Sequence, residues 1–100
     1  MLYSATMGEG RSRNYRKLER LVRGFSNHRR IEIMELLERN PELSVIEITE
    51  KLRINFKTAS EHIRRLAIAG LVLKRSDGAS VRHALSPRGL RILKFLRTLE

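Results

Sequence analysis

The stretch LSVIEITEKLRINFKTASEHIRRLAIAGLVL, residues 43–73, decides how this chain is read. It opens with Ser44-Val45-Ile46-Glu47, a capping box in which the serine hydroxyl accepts from the amide of Glu47 and the glutamate accepts from the amide of Ser44. The box starts a helix predicted over Val45–Leu52, with Ile48 and Leu52 turned inward. Arg53-Ile54 turns the chain. Asn55 then caps a second helix, Phe56–Ala69, in which Ala59, Ile63 and Leu66 recur at core spacing. Ile54 and Ala59 stand at hydrophobic-staple positions around that cap. Gly70 supplies a left-handed stop, and a strand is predicted over Leu71–Arg75.

Working upstream, Asn27 can cap a helix over His28–Arg39, whose buried side holds Ile31, Met34 and Leu37 with Ile33 and Leu36 beside them. Asn40-Pro41 stops it, because the residue before proline avoids helical angles. Asn14–Phe25 sets Tyr15, Leu18, Leu21, Val22 and Phe25 at three- and four-residue spacing, an amphipathic helix whose last turn Gly24 weakens. Met1–Ser12 carries Gly8 and Gly10 without apolar periodicity and reads as a loose basic arm, leaving residues 13–100 as one domain.

Downstream, Val81–Leu85 reads as a second strand. The link Ser76-Asp77-Gly78-Ala79-Ser80 carries the Asp-Gly turn signal, and Leu71, Leu73, Val81, His83 and Leu85 are expected to face inward. Ser86 caps and Pro87 starts a last helix reaching Leu99. The expected fold is mainly α with a small β-hairpin, in the order α-α-α-α-β-β-α. A hairpin that follows two helices joined by a tight turn is a wing, and the whole is a winged helix-turn-helix. Such a layout presents one helix to a groove of duplex DNA.

One hundred residues make one domain. No run reaches the roughly 18 apolar residues a bilayer span needs, and Met1–Gly10 lacks a basic-then-apolar signal pattern. The chain has no cysteine, which excludes disulfides and thiolate metal sites. A cytoplasmic protein is expected, with no membrane partner. The formal charge is +10 and is segregated. Residues 11–30 hold eight Lys and Arg side chains against Glu19 alone; residues 31–50 hold six glutamates against Arg39; residues 51–100 hold twelve cations against three acids. Segregation of this kind points to a basic face for a polyanion and an acidic face turned elsewhere.

The chain resembles the winged helix-turn-helix regulators of the ArsR type, from Gly24 to Gly89. The stretches that carry the likeness are Phe25-Ser26-Asn27-His28-Arg29-Arg30-Ile31-Glu32-Ile33, Leu43-Ser44-Val45-Ile46-Glu47-Ile48, Thr58-Ala59-Ser60-Glu61-His62-Ile63-Arg64-Arg65-Leu66 with Ala69-Gly70-Leu71-Val72, and Leu85-Ser86-Pro87-Arg88-Gly89. Three departures stand out. Where metal sensors of that family often carry cysteines on the third helix, this chain has Val45, Ile46 and Ile48. Where others place histidine and carboxylate ligands on the last helix, Leu90–Leu99 has neither. Arg53 stands where glycine is frequent in the turn. The resemblance implies DNA binding and dimerisation through the first and last helices; the first two departures count against metal sensing, and the third bears on the turn, since arginine accepts left-handed angles poorly.

The helix starting at Phe56 is the candidate for reading DNA. With Ala59, Ile63 and Leu66 inward, Asn55, Phe56, Lys57, Thr58, Ser60, Glu61, Arg64 and Arg65 are the expected contacts, its N-terminal residues nearest the base edges. Arg64 suits guanine or phosphate, Glu61 a cytosine amino group, and Phe56 a thymine methyl. Lys74, Arg75, Ser76, Ser80 and Arg82 surround the wing tip and suit phosphates or a minor groove. Arg11, Arg13, Arg16 and Lys17 form a basic arm that either tracks phosphates or only solubilises. Tyr15, Leu18, Val22, Leu90, Ile92, Leu93, Phe95, Leu96 and Leu99 are expected to form a homodimer interface, because the last helix is apolar over more than one stripe.

No cofactor and no metal is expected, since His28, His62 and His83 lack ligand spacing. No enzyme is expected either: there is no P-loop, no dinucleotide-binding turn and no nucleophile motif. The expected function is a DNA-binding transcriptional regulator, a repressor acting as a homodimer on double-stranded DNA. The alternatives are a sequence-indifferent architectural DNA-binding protein and a winged-helix protein–protein module using Glu32, Glu35, Glu38 and Glu42 or the apolar outer helices. A small-molecule effector is compatible with the fold, and no residue identifies one.

Overall fold

Asparagine and serine side chains set the start of every helix. In the computed structural model, which describes residues 13–100, Asn14 accepts from the amide of Lys17 at 3.0 Å and opens α1, Tyr15–Phe25. Asn27 accepts from the amides of Arg29 and Arg30 and opens α2, His28–Arg39. The capping box closes as expected, Glu47 N on Ser44 Oγ at 3.2 Å and Ser44 N on Glu47 Oε1 at 2.9 Å, and opens α3, Val45–Leu52. Asn55 accepts from Thr58 and opens α4, Phe56–Ile68. Ser86 accepts from Gly89 and opens α5, Pro87–Arg97, with Pro87 in the first turn where its missing N–H costs nothing. Satisfying these otherwise unpaired amides is what fixes the helix boundaries.

The turn between α3 and α4 passes through Arg53 at φ 55, ψ 48, the left-handed conformation in which glycine is frequent. It swings α4 across α3 so that Ala59, Ile63 and Leu66 enter the core with Ile33, Met34 and Leu37 of α2, Ile48 of α3 and Leu71. Each fully buried large aliphatic side chain stabilises by about 1.5–3 kcal/mol, so these contacts dominate the orientation of α4. Among the described residues no helix is long and apolar enough to cross a membrane.

α1 lies against the C-terminal half of α4. Gly24, read from the sequence as a weak point of α1, is what permits this: a Cβ there would stand 2.5 Å from Ala69 Cβ. The helix gives up some propensity for a backbone approach that no side chain would allow.

Two strands form the wing, β1 Val72–Asp77 and β2 Ser80–Leu85, antiparallel from Val72↔Leu85 to Asp77↔Ser80. They are longer than expected, and the link shrinks to Gly78-Ala79. Gly78 takes φ +62 at the first central position, which suits a two-residue hairpin turn. The inward set also changes. Val72, His83 and Leu85 share the core side at the base of the hairpin. Leu73 pairs with Ala84 on the opposite side and is 54% exposed; Val81, on the core side but near the tip, is 42% exposed. Leu71 is buried from a position before the strand, so the alternation starts one residue later than the sequence suggested. Leu43 adds an isolated bridge to His83, whose amide and Nδ1–H both donate to the Leu43 carbonyl at 2.9 Å.

Candidate nucleic-acid interface

The buried triplet Ala59, Ile63 and Leu66 leaves the opposite side of α4 uncovered. Phe56, Lys57, Ser60, Glu61 and Arg64 gather there around a recess of about 420 Å³. Five of the eight sequence-predicted residues of this helix therefore stand together. Phe56 is 55% exposed, so its ring is free to meet an apolar group such as a thymine methyl. Asn55 and Thr58 are also exposed, but the Asn55 side-chain oxygen is engaged by the Thr58 amide. Arg65 does not line the recess but reaches its edge through Glu61.

Glu61 receives both arginines. Arg64 donates from Nε and Nη2 at 3.0 and 2.9 Å, and Arg65 from Nε at 2.9 Å. These bonds, from Arg64 first and then Arg65, lower the Glu61 carboxyl pKa to about 2. Behind this face, Arg30 of α2 donates from Nε to His62 Nδ1 at 3.1 Å and from Nη1 to the Arg23 carbonyl at 2.9 Å, which ties α4 to the end of α1. His62 accepts that bond only as the neutral ring. Burial, then the Arg30 charge, pushes its pKa down.

The wing carries its predicted cations differently from the sequence expectation. Lys74 and Ser76 are exposed and Ser80 is half-buried at the tip. Arg75 donates to Glu42 at 3.2 Å. Arg82 turns back from the tip: its guanidinium donates to Glu47 at 2.9 Å, to Asp77 at 3.4 Å and to the Glu42 carbonyl at 3.4 Å. Its charge is thus engaged within the chain, by Glu42 and Glu47, too far off in sequence to be anticipated. Arg82 joins the wing to α3.

The predicted basic arm divides. Arg11 lies outside the described residues. Arg13 and Lys17 line a groove of about 990 Å³ between α1 and α4, together with Arg64 and Arg65; Arg16 is exposed but does not line it. Sequence reasoning missed Arg20, Arg23 and Arg88 in the same groove. The α1 spacing held the signal for Arg20, one turn beyond Arg16 and Lys17. Nothing local held it for Arg88, which arrives from α5 and donates to the Ala69 carbonyl at 3.1 Å.

The expected dimer residues also divide. Tyr15, Leu18 and Val22 of α1 and Phe95 and Leu99 near the C-terminus are exposed. Leu90, Ile92 and Leu96 are half-buried, the last two packed on the core. Leu93 leaves the set: it is 1% exposed and belongs to the core of its own subunit. Ile68 faces outward as its place on α4 predicts, 72% exposed beside α1, though it was not among the expected dimer residues. Among the described residues no three His, Asp or Glu side chains are placed to hold a metal ion.

Residues 27–74 match the family of bacterial regulatory proteins called the arsR family. No curated protein sequence matches the chain. Among solved structures it is similar to HlyU from Vibrio cholerae N16961, 30% identical over 89% of this chain and 97% of that one, with a TM-score of 0.74. The transcriptional regulator HlyU from Vibrio vulnificus CMCP6 is 31% identical over 86% and 90%, TM-score 0.68. The homodimeric winged helix-turn-helix DNA-binding domain Mb0332 from Mycobacterium bovis is 24% identical over 91% and 88%, TM-score 0.76, a likeness of fold.

Proposed function

The chain belongs to the arsR family of bacterial regulatory proteins, and from that premise we propose that it is a homodimeric repressor that binds double-stranded DNA. α4 lies in the major groove, the wing residues Lys74, Ser76 and Ser80 meet the flanking backbone or minor groove, and occupancy blocks transcription. The observation that carries this reading is the uncovered face of α4, where Phe56, Lys57, Ser60, Glu61 and Arg64 stand together along the first two-thirds of the helix. Arg13, Arg16 and Lys17 add affinity that depends on salt.

A second copy docks on the exposed apolar residues of α1 and of the chain after Leu93. The Mb0332 domain, which shares this fold, is homodimeric. A two-fold dimer sets its reading helices roughly 34 Å apart, on successive major grooves. The acidic side of α2 gives little support to a protein-binding module. Glu32 pairs with Arg29, Glu35 and Glu38 share Arg97, and Glu42, just beyond α2, pairs with Arg75, so each of these carboxylates has a cation within the subunit.

Selection of bound fragments from a random duplex pool tests the proposal. Enriched sites are expected to show two-fold symmetry with half-sites about one helical turn apart. Recovery of fragments with no common sequence would point to an architectural protein, and no recovery at physiological salt would remove DNA altogether.

A further inference from the structure

Glu61 is the only carboxylate on α4, and both guanidiniums of the exposed face converge on it. All three side chains are about half exposed, so the cluster lies on the surface where a duplex would approach. Arg64 grips the carboxylate side-on, through Nε and Nη2 on its two oxygens; Arg65 adds Nε to one of them. A phosphate offers the same pair of acceptor oxygens to the same guanidinium edge. Glu61 therefore occupies the edges that DNA backbone would take, and three side chains that could have offered two positive charges offer one. Arg64 keeps its outer end: Nη1 and the second hydrogen of Nη2 form the fork that matches O6 and N7 of guanine.

We infer that Glu61 is a specificity-determining residue: it competes with phosphate for Arg64 and Arg65, which weakens binding to arbitrary duplex, and it holds Arg64 with its outer fork toward the base edges. This takes as given that α4 enters the major groove, as proposed above. Non-specific affinity comes from the phosphates a protein neutralises, so a carboxylate set among the cations lowers it directly. Base readout depends on geometry, which the side-on grip supplies in advance. A base presenting an acceptor to Glu61 adds repulsion, whereas a cytosine amino group does not. The carboxylate stays ionised through the physiological range, so the device is not relieved by protonation.

The test uses wild type, Glu61→Gln and Arg64→Ala. Each is titrated by fluorescence anisotropy against the duplex selected by wild type and against a random duplex of equal length, over a series of salt concentrations. Glu61→Gln is expected to bind random duplex about tenfold tighter, with a salt slope steeper by about one, and to gain less on the selected site, so that the preference falls. Arg64→Ala is expected to lose the selected site far more than random DNA. The inference is overturned if Glu61→Gln keeps the wild-type preference. It is equally overturned if the variant weakens on both duplexes in step with a lower melting temperature, the pattern of a residue that only supports its helix. Wild-type protein that binds neither duplex at low salt overturns the proposed function instead, and is told apart by the wild-type curve alone.

Discussion

Arg82 of the wing donates to the same oxygen of Glu47 that closes the capping box on Ser44, each bond 2.9 Å long. One carboxylate oxygen thus fixes the start of α3 and ties the middle of the hairpin to it. The cap, more than Arg82, holds the Glu47 carboxyl pKa below its usual range. Glu47→Gln and Arg82→Ala are each expected to lower the melting temperature, and the double variant to lose less than the sum of the two. Residues sharing a bond are non-additive. Calorimetry on the four proteins of the cycle measures this, and strict additivity would mean that the wing is not braced on α3.

Gly24→Ala puts a methyl group 2.5 Å from Ala69 Cβ, where neither side chain can turn aside. α1 must lift from α4. The expected loss is about 1–3 kcal/mol, as for other overpacked contacts. In urea unfolding the midpoint should fall with the slope unchanged. A midpoint that stays or rises would show that ordinary helix propensity governs this position and that α1 does not lie against Ala69.

The parts legible in the sequence are those decided within a few residues. The caps at Asn27, Ser44, Asn55 and Ser86 and the core spacing of Ala59, Ile63 and Leu66 depend on neighbours one turn away, and each stands where the pattern placed it. The wing is different. Beyond its base both faces meet water, so Ser76, Asp77 and Ser80 pair without any apolar alternation to announce them, and Leu73 is free to face out. Leu93 looked like Phe95 and Leu99 because α5 is apolar around much of its circumference; only its packing against α2 and the rest of the core tells them apart. Arg82 and Arg88 act on groups 35 and 19 residues away, at a distance no local pattern spans.

Two histidines make stability sensitive to mild acid. His83 is buried with its Nδ1–H on the Leu43 carbonyl, and burial lowers its pKa; His62 accepts from Arg30, and burial lowers its pKa as well. For a group whose folded pKa lies below its unfolded value, the unfolded chain binds more protons in between. Stability contributed by the neutral ring is therefore present above about pH 6.5 and is lost as pH falls through that value toward the folded pKa. The lowered carboxylates Glu38, Glu47 and Glu61 titrate further down, below their usual range. Melting temperatures should thus be steady from pH 8 to 7 and decline from about pH 6.5. Replacing His62 with glutamine should reduce the decline, and an unchanged profile would sink its role.

DNA contacts separate by their response to sequence. Arg64→Ala is expected to lose about tenfold in affinity for a selected site and to relax preference at one base pair. Lys74→Ala is expected to weaken all duplexes by a similar small factor and to make the salt dependence shallower by about one counterion. Arg82→Ala should do neither directly, because its guanidinium is turned to Glu47. Binding curves on a panel of single-base variants of the site discriminate the three. Loss of base preference in Lys74→Ala would exchange the roles assigned to helix and wing.

The apolar surface of the outer helices offers the last test, because two leucine- and phenylalanine-bearing positions close together in sequence face opposite ways. Phe95 is 54% exposed, while Leu93 lies in the core. A charge at Phe95 meets only water in one subunit but would be buried against a partner, where an unpaired carboxylate is costly. Phe95→Glu should therefore give a folded monomer that melts cooperatively and binds a two-fold DNA site with a much lower apparent affinity. Leu93→Glu places the same charge among Ile33, Met34 and their neighbours and should fail to fold at all. Sedimentation velocity with circular dichroism reads both outcomes. A Phe95→Glu protein that sediments as wild type would show that the subunits meet elsewhere or not at all.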